Sequence, residues 1–476
     1  MHLEYKYVVA LIAIFGTTLY VLDTNIVNVA VPALEQDFHA RTDTVEWVIT
    51  AYPISLAMFL PFSGWAGDRF GTKRMFIISL GLFVGSSALC AFAWSIESLI
   101  AFRILQGVAG GLILPMGQTM VFRAFPIAER AKAAAITVTP VTFVSAIGPM
   151  VGGLFIDHLS WHWIFLMNLP IGIAGMVLAF IFLKEQREPN AGGIDLPGFV
   201  LAASGLACLL YGLSRAGQYG LNNGTVIGFS TAGVLLLWAF VSVERRVPRP
   251  MVDLRLLQNR LFAAATATGG AGFAAFISLV FLLPLFLQVG RGTSAFESGL
   301  IVVPQGLAVF ACAPFMGRVY RRYGPRLMLS ISFFLMALTA FAFLLVDFST
   351  PLWLIGLLMV ARGVGLAGMV VGGQAASFAT IAAGDTGRAS ALNAIVRQVG
   401  GSFGVAIIAT VLTSRLGHYG VTLGEGAAQA KVLVAVHETF FVAGVLSLIA
   451  SATAFVFIRD HDAAESRGRV ATAAAE

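Results

Sequence analysis

The first long apolar stretch of the chain is residues 8–31, VVALIAIFGTTLYVLDTNIVNVAV, which holds a single charged side chain, Asp23. About 20 apolar residues in a helix suffice to cross the roughly 30 Å hydrocarbon layer of a bilayer. Similar runs recur along the whole chain, and they are continuous rather than alternating, which favours helices over barrel strands. We therefore predict an all-α polytopic membrane protein with about 14 transmembrane helices.

The composition excludes most soluble classes of protein. Of the 476 residues, 58% are hydrophobic and 11% are charged, whereas soluble domains carry roughly 25% charged residues. The three cysteines lie in separate apolar runs without metal-binding spacing. The sequence also has no nucleotide-binding Gly-Lys-Ser loop and no paired-aspartate prenyltransferase motif. We therefore expect no enzyme activity, no metal and no ATP-driven step.

Lysine and arginine are unevenly divided among the predicted loops. With the N-terminus placed inside, 22 of the 30 fall on the inner side and five on the outer side. An excess of base on inner loops predicts that both termini are cytoplasmic and that the protein is a multi-pass protein of the cell membrane. Anionic lipid at the inner face accounts for the net charge of +6, so we expect no nucleic-acid partner.

An internal repeat is visible in two loops and two spans. At nearly equal offsets it pairs Gly64 with Gly317, Arg69 with Arg322, Gly71 with Gly324, and Arg103 with Arg362. Duplicated halves that rock about a midplane site are typical of secondary transporters. We predict a 6+2+6 arrangement: a six-helix bundle at 1–188, two inserted helices and a cytoplasmic linker at 189–260, a second six-helix bundle at 261–459, and a polar cytoplasmic tail at 460–476.

Four ionisable residues lie inside predicted spans, where a charge is costly: Asp23, Arg103, Arg362 and Arg397. Asp23 and Arg103 have similar depths and can pair. Because a carboxyl group can change its charge near physiological pH and arginine cannot, Asp23 is the candidate proton site, tuned by Arg103. The alternative is a structural pair that locks helices without titrating. Arg362 and Arg397 either bind an anionic or polar substrate or donate to backbone carbonyls of kinked helices.

Two further groups are candidates for function. Tyr20 and Asn28 share the helical face of Asp23, and with Gln106, Arg362 and Arg397 they are our candidates for the substrate cavity. The first copy of the repeated loop is a charged turn, which either keeps the loop inside or lets Asp68 pair with charges or a helix N-terminus of the other half and so latch one conformation. Its candidate residues are Gly64, Asp68, Arg69, Gly71, Lys73 and Arg74; the second copy has Arg321 in place of the acid.

The fifth predicted span contains a helix-packing motif. Gly148, Pro149, Gly152 and Gly153 combine a kink with room for close approach of a neighbouring helix. Packing alone is enough to explain this pattern.

Together these stretches resemble the major facilitator superfamily, and closely its fourteen-span drug:H+ antiporter branch. The similar segments are 22–30 (first helix), 64–74 (loop signature), 103–107 (fourth helix), 148–153 (fifth helix), 161–170 and 397–402. The resemblance implies a major facilitator fold, proton transfer that involves the fourth-helix motif, and, from the fifth-helix motif, export rather than import.

The resemblance and the buried acid imply a proton-coupled exporter of amphipathic organic compounds, drugs included, driven by the proton gradient without a cofactor. An exporter of an endogenous lipid, fatty acid or metabolite on the same machinery stays an open alternative, whereas a membrane-embedded transferase or a structural scaffold fits the residues poorly. Because Asp23 is the only acid well inside a span, a dicationic substrate is not favoured. We expect a monomer whose partners are substrate, protons and lipids; a periplasmic accessory protein stays open.

Overall fold

The computed structural model describes residues 4–188, 192–247, 250–421 and 429–464, and within these ranges it contains helices and no β-strand. Most of the predicted tail, from residue 465 onward, lies outside the described residues. The α-helices are, in chain order, α1 (Tyr5–Ile26), α2 (Val31–Asp37), α3 (Thr42–Phe70), α4 (Thr72–Ala91), α5 (Ile96–Ala124), α6 (Arg130–His158), α7 (His162–Leu166), α8 (Asn168–Phe182), α9 (Leu196–Tyr219), α10 (Gly224–Glu244), α11 (Arg260–Pro284), α12 (Ala295–Ala342), α13 (Leu352–Ser377), α14 (Thr386–Tyr419) and α15 (Gln429–Phe457).

The number of membrane spans agrees with the prediction. Among the described residues, 13 helices are long and apolar enough to cross a membrane. One of them, α12, is broken at Gly324, whose φ of 86° and ψ of 167° are not helical. Because its two limbs each approach the length of a single span, the described helices provide about fourteen spans, and the predicted all-α membrane fold is confirmed.

The first predicted span differs from a continuous helix. The α-helix ends at Ile26, and a 3₁₀ segment, Val27–Ala30, leads into α2. Pro32 lies in the first turn of α2, where its missing N–H is tolerated, but it cannot donate to a carbonyl one turn earlier. The helix therefore changes its winding shortly after Asp23.

The two repeated loops have the same backbone geometry at their matched glycines. Gly71, between α3 and α4, has a φ of 101°, and Gly324 has a φ of 86°. Both values lie in the left-handed region, where a side chain is strained and glycine is not. The two loops that the sequence pairs thus turn at the matched glycine in the same way.

The inserted helix α9 lies between the predicted halves. On the α3 side, the ring of Tyr211 stacks on Trp47 with 5.5 Å between centroids, and Arg215 reaches Glu46 at 3.5 Å. On the α14 side, Thr413 Oγ1 donates to the carbonyl of Gly217 at 2.9 Å. One inserted helix therefore contacts one helix of each predicted half.

The segment that comes after α10 is held by a buried glutamate. Oε1 of Glu244 accepts the backbone N–H of Val252 at 2.6 Å, and both residues are buried. The other oxygen of Glu244 faces Asp195, which caps α9 through the N–H of Gly198. Apart from each other, Oε2 of Glu244 and Oδ2 of Asp195 have no hydrogen-bond partner among the described residues. This contact ties the linker to both inserted helices.

We expect Glu244→Ala and Glu244→Gln to separate in stability. Alanine leaves the buried N–H of Val252 without an acceptor, which costs about 1–3 kcal/mol of the free energy of unfolding. Glutamine keeps that acceptor and adds an N–H donor toward Asp195. Thermal unfolding of the purified protein in detergent should therefore show a lower midpoint for Glu244→Ala and no loss for Glu244→Gln.

The control is Glu35→Ala, which removes an acid that makes no side-chain hydrogen bond in the described part of the chain. If Glu244→Ala is as stable as this control, the proposed anchoring of the linker is wrong.

Candidate functional site

Asp23 lies in α1 with 1% of its surface exposed, and its partner Arg103 in α5 is equally buried. Nη1 of Arg103 donates to Oδ2 of Asp23 at 2.5 Å. The two charges therefore neutralise each other inside the first half, where an isolated charge would be costly. The structure brings together the two residues that the sequence pairs by depth.

The guanidinium of Arg103 is held on three further sides. Its Nε donates to the carbonyl of Val48 at 3.0 Å, and its Nη1 also donates to Oε1 of Gln106 at 2.6 Å. Its Cζ lies 4.3 Å from the ring centroid of Tyr52, a cation–π contact. Gly107 makes this possible, because a Cβ there would overlap the Ser55 side chain of α3 and keep α5 away.

The second oxygen of Asp23 accepts two amide donors. Nε2 of Gln106 lies 3.0 Å from Oδ1, and Nδ2 of Asn168 lies 3.3 Å from it. Asn168 also donates to Ser87 at 3.1 Å, and Ser87 donates to the carbonyl of Phe165 at 2.9 Å. Asp23 is thus the centre of a polar cluster formed by α1, α4, α5 and α8.

Binding of one proton by this cluster would cost one hydrogen-bonded ion pair. If Asp23 takes up a proton, its attraction for Arg103 is lost and the guanidinium becomes an uncompensated buried charge. Arginine itself keeps its charge at any physiological pH. A change in the charge of this carboxyl group would therefore destabilise the contacts among the four helices around it.

The polar face of α1 is divided between two environments. Asp23 points into the first half, whereas Thr24 and Asn28 are exposed and Tyr20 is half-buried. Tyr20 lies near enough to Arg397 of α14 to interact electrostatically with it. Tyr20 therefore lies next to Arg397 of the other predicted half, and Asn28 is exposed in the 3₁₀ segment that follows α1.

Arg362 and Arg397 lie against α11 in the second half. Nη2 of Arg362 is 3.4 Å from the carbonyls of Ala275 and Phe276, and Cζ of Arg397 is 5.0 Å from the ring centroid of Phe273. In the described residues, no carboxylate pairs with either guanidinium. The two arginines thus differ from Arg103, which has an acid.

Asp68 is buried at the end of α3 that is predicted to be cytoplasmic. Its Oδ1 accepts from Nη2 of Arg123 at 2.8 Å, and its Oδ2 is 4.0 Å from Nε of Arg388, in the second half. Arg123 also donates from Nε to the carbonyl of Ala383 at 3.0 Å. Asp68 therefore lies in a charged layer that joins both halves, where a latch is predicted.

More contacts close the same end. Arg130 of α6 donates to the carbonyls of Phe378 and Ile381 just after α13. The rings of Phe122 and Phe378 stack with 4.2 Å between their centroids. Gly64 of α3 lies directly against α14, because a Cβ there would be 2.9 Å from the carbonyl oxygen of Gly387. Helices of both predicted halves are therefore in direct contact at this end.

The basic residues of the loop do not join this layer. The carboxylate of Glu185 accepts the backbone N–H groups of Lys73 and Arg74 at 3.0 and 3.1 Å, next to the turn at Gly71. Nζ of Lys73 donates to the carbonyl of Phe180 at 2.7 Å. The side chains of Arg69 and Arg74 are exposed, as expected of charges that face the inner surface.

The helix-packing motif of α6 lies beside Asp23. A Cβ on Gly148 would be 3.3 Å from that of Asn25, and one on Gly152 would be 3.1 Å from Ile26. Gly153 has nothing within 4 Å. Pro149 belongs to α6, but its side chain lies outside those that the structure describes. Half of the motif therefore packs on α1 within one turn of Asp23.

Several members of both polar groups were not predicted. Asn168, Ser87 and Tyr52 surround the Asp23 pair, whereas the charged layer adds four residues to Asp68: Arg123, Arg388, Asp253 and Glu188. The sequence could have indicated Asn168 and Ser87, since each is a polar residue inside an apolar run. The members of the charged layer looked like ordinary loop charges.

Comparisons with known proteins agree with this architecture. A model of the Major Facilitator Superfamily matches residues 13–405. A "Multidrug resistance protein B homolog" of Mycobacterium tuberculosis is 33% identical over 86% of this chain and 76% of its own. The "Tetracenomycin C resistance and export protein" of Streptomyces glaucescens is 31% identical over 84% of this chain and 75% of its own. The crystal structure of the human organic anion transporter MFSD10 (TETRAN) has a TM-score of 0.69 at 15% identity, covering 95% of this chain and 100% of that one. The predicted family is thereby confirmed: the chain belongs to the Major Facilitator Superfamily.

Proposed function

We propose that this transporter is a proton-coupled exporter, a drug:H+ antiporter, that moves amphipathic organic compounds out of the cell by alternating access. The observation that carries the proposal is the buried ion pair of Asp23 and Arg103, with 2.5 Å between its charged atoms. A protein that only held helices together would not need an ionisable carboxyl group in the hydrocarbon layer.

The closed end of the bundle supports the alternating-access part of the proposal. Contacts of Arg123, Arg130 and Arg388 join the halves at the predicted cytoplasmic end, while Thr24 and Asn28 are exposed on the other side of Asp23. This arrangement fits a state that receives a proton from outside. Uptake of the proton releases Arg103, the halves rock, and Asp23 loses its proton to the cytoplasm as the cycle returns.

The direction of transport is proposed from two sources. The names of the relatives speak of multidrug resistance and of export, and the motif at Gly148 and Gly152 packs on α1 as a tight helix contact beside the proton site. We further propose that the protein resides in the cytoplasmic membrane, acts as a monomer, and takes its energy from the proton gradient without a cofactor.

The direct test replaces Asp23 with asparagine. Asn keeps the size and can still accept from Gln106, but it cannot bind or release a proton. In inside-out membrane vesicles with an acidic interior, Asp23→Asn should abolish uphill accumulation of fluorescent amphipathic drugs. Exchange of a drug across the vesicle membrane in the absence of a pH gradient should persist. The measurement is accumulation against the imposed pH gradient, at matched levels of protein in the membrane.

The matched control is Asp43→Asn, which removes an exposed acid at the start of α3. It should pump like the unchanged protein. Uphill pumping by Asp23→Asn at the full rate would overturn the mechanism. A gradient-driven flux of fatty acids or metabolites, but of no drug in the panel, would instead favour the endogenous exporter.

A second prediction concerns the closed end. In Gly64→Leu, the new side chain would meet the backbone of α14, which cannot yield as a flexible side chain would. We expect the cytoplasmic ends of the halves to separate and transport to fall. The distance is measured by pulsed electron paramagnetic resonance between spin labels at Arg74→Cys and Arg318→Cys, with the three native cysteines replaced by serine. It should be longer in Gly64→Leu than in the protein with Gly64.

Gly85→Leu controls for the loss of a helical glycine, because Gly85 is exposed and has nothing within 4 Å of its Cβ position. An unchanged distance in Gly64→Leu, equal to that in this control, would mean that the contact between α3 and α14 does not hold this end closed.

A further inference from the structure

Arg362 is a buried guanidinium with unused donors. It is 1% exposed, and its Nε and Nη1 have no hydrogen-bond partner among the described residues. Its Nη2 reaches the two α11 carbonyls at 3.4 Å, near the outer limit for a hydrogen bond. Buried charged donors are normally paired, so this side chain lacks the anion that a stable core position would supply.

The repeat makes the missing anion more evident. Arg362 corresponds to Arg103, whose charge is neutralised by Asp23. In the second half, the position facing the guanidinium is filled by the backbone of Ala275 and Phe276 instead of a carboxylate. The second half therefore keeps the cation of the repeated pair without its acid.

Arg397 is a second cation without a carboxylate partner in the described residues, and it lies beside the same turn of α11. It is half-buried, stacks on the ring of Phe273 and interacts electrostatically with Tyr20 of the opposite half. The rings of Phe273 and Phe276 are 5.9 Å apart. Arg362 and Arg397 thus lie against one turn of α11, and Arg397 faces the space between the halves.

We propose that Arg362 and Arg397 form a subsite for the negatively charged group of an amphipathic substrate, a carboxylate or a sulfonate, with Phe273 and Phe276 against its apolar part. This inference rests on the proposed export function and specifies its substrate class. An anion beside Arg362 would accept its free N–H groups, and an anion that also reaches Arg397 would offset both charges in a region of low dielectric. A cation would meet the repulsion of both arginines.

The subsite also separates substrate from proton. The anion would bind at α11, α13 and α14, whereas the proton binds in the first half at Asp23. Substrate and proton then do not compete for one carboxyl group, and coupling depends on the rocking of the halves. With one proton exchanged for one monoanion, two positive charges move inward in each cycle, so an inside-negative potential should accelerate export of the anion.

The test uses three dansyl probes with the same alkyl chain, ending in a carboxylate, a methyl amide or a trimethylammonium group. Binding is measured by fluorescence with the full-length protein in nanodiscs of zwitterionic lipid. We expect the carboxylate to bind at least about tenfold more tightly than the trimethylammonium probe. Arg397→Gln should weaken carboxylate binding about tenfold and leave the amide unchanged, and Arg397→Lys should restore part of the loss.

Arg362→Gln should have the same selective effect if this variant folds. If it does not fold, the Arg397 variants keep the test decisive, since Arg397 is half-buried. Arg260→Gln, which removes an exposed charge at the start of α11, is the control. Equal binding of the three probes, tighter binding of the cation, or an unchanged carboxylate affinity in Arg397→Gln would overturn the subsite.

Transport of the amide probe separates this inference from the proposed function. If the amide probe is exported under a pH gradient while the carboxylate probe binds no more tightly than the other two probes, the subsite is wrong and the exporter stands. If no probe moves with the gradient but Arg397→Gln still loses carboxylate affinity, the subsite stands and the proton-coupled function is wrong.

Discussion

The structure depends on one constraint: a charge placed in the hydrocarbon layer must find a partner there. Asp23 and Arg103 satisfy it within the first half, and Gln106 and Asn168 fill the remaining acceptor positions of the acid. Because each member of the pair compensates the other, a change in the charge of one cannot remain local. Proton uptake at Asp23, as proposed, would therefore act on the packing of four helices.

The two halves share a backbone pattern but not an electrostatic one. Both repeated loops turn at a glycine of positive φ, and both halves keep an arginine at the matched position. The first half has an acid for its arginine, and the second has only carbonyl oxygens for Arg362. A duplicated scaffold can therefore divide its work, with proton chemistry proposed for one half and binding of a charged ligand proposed for the other.

Hydropathy and single residues were sufficient to predict the helices and the centre of the site. Apolar runs indicated the helices, glycines indicated the repeated turns, and the cost of buried charge singled out Asp23 and Arg103. The sequence did not predict that Arg123 would join Asp68 to Ala383, because that contact joins residues about 260 positions apart in charged loops without periodicity. Nor did it predict the change in helix winding after Ile26, since the single proline Pro32 does not interrupt the apolar run. The roles of the site residues stay predictions.

The inserted helix α9 and the linker after α10 contact helices of both predicted halves. At one end α9 is joined to α3 by Trp47 and Tyr211 and to α14 through Gly217. At the other end the linker brings Asp253 to 3.7 Å from Arg388, which also faces Asp68. Since α3 and α14 belong to different predicted halves, any rocking that separates them must move α9 against at least one of them. In the proposed cycle the contacts of α9 would be broken and remade, and the insertion would contribute to the energy difference between the two states.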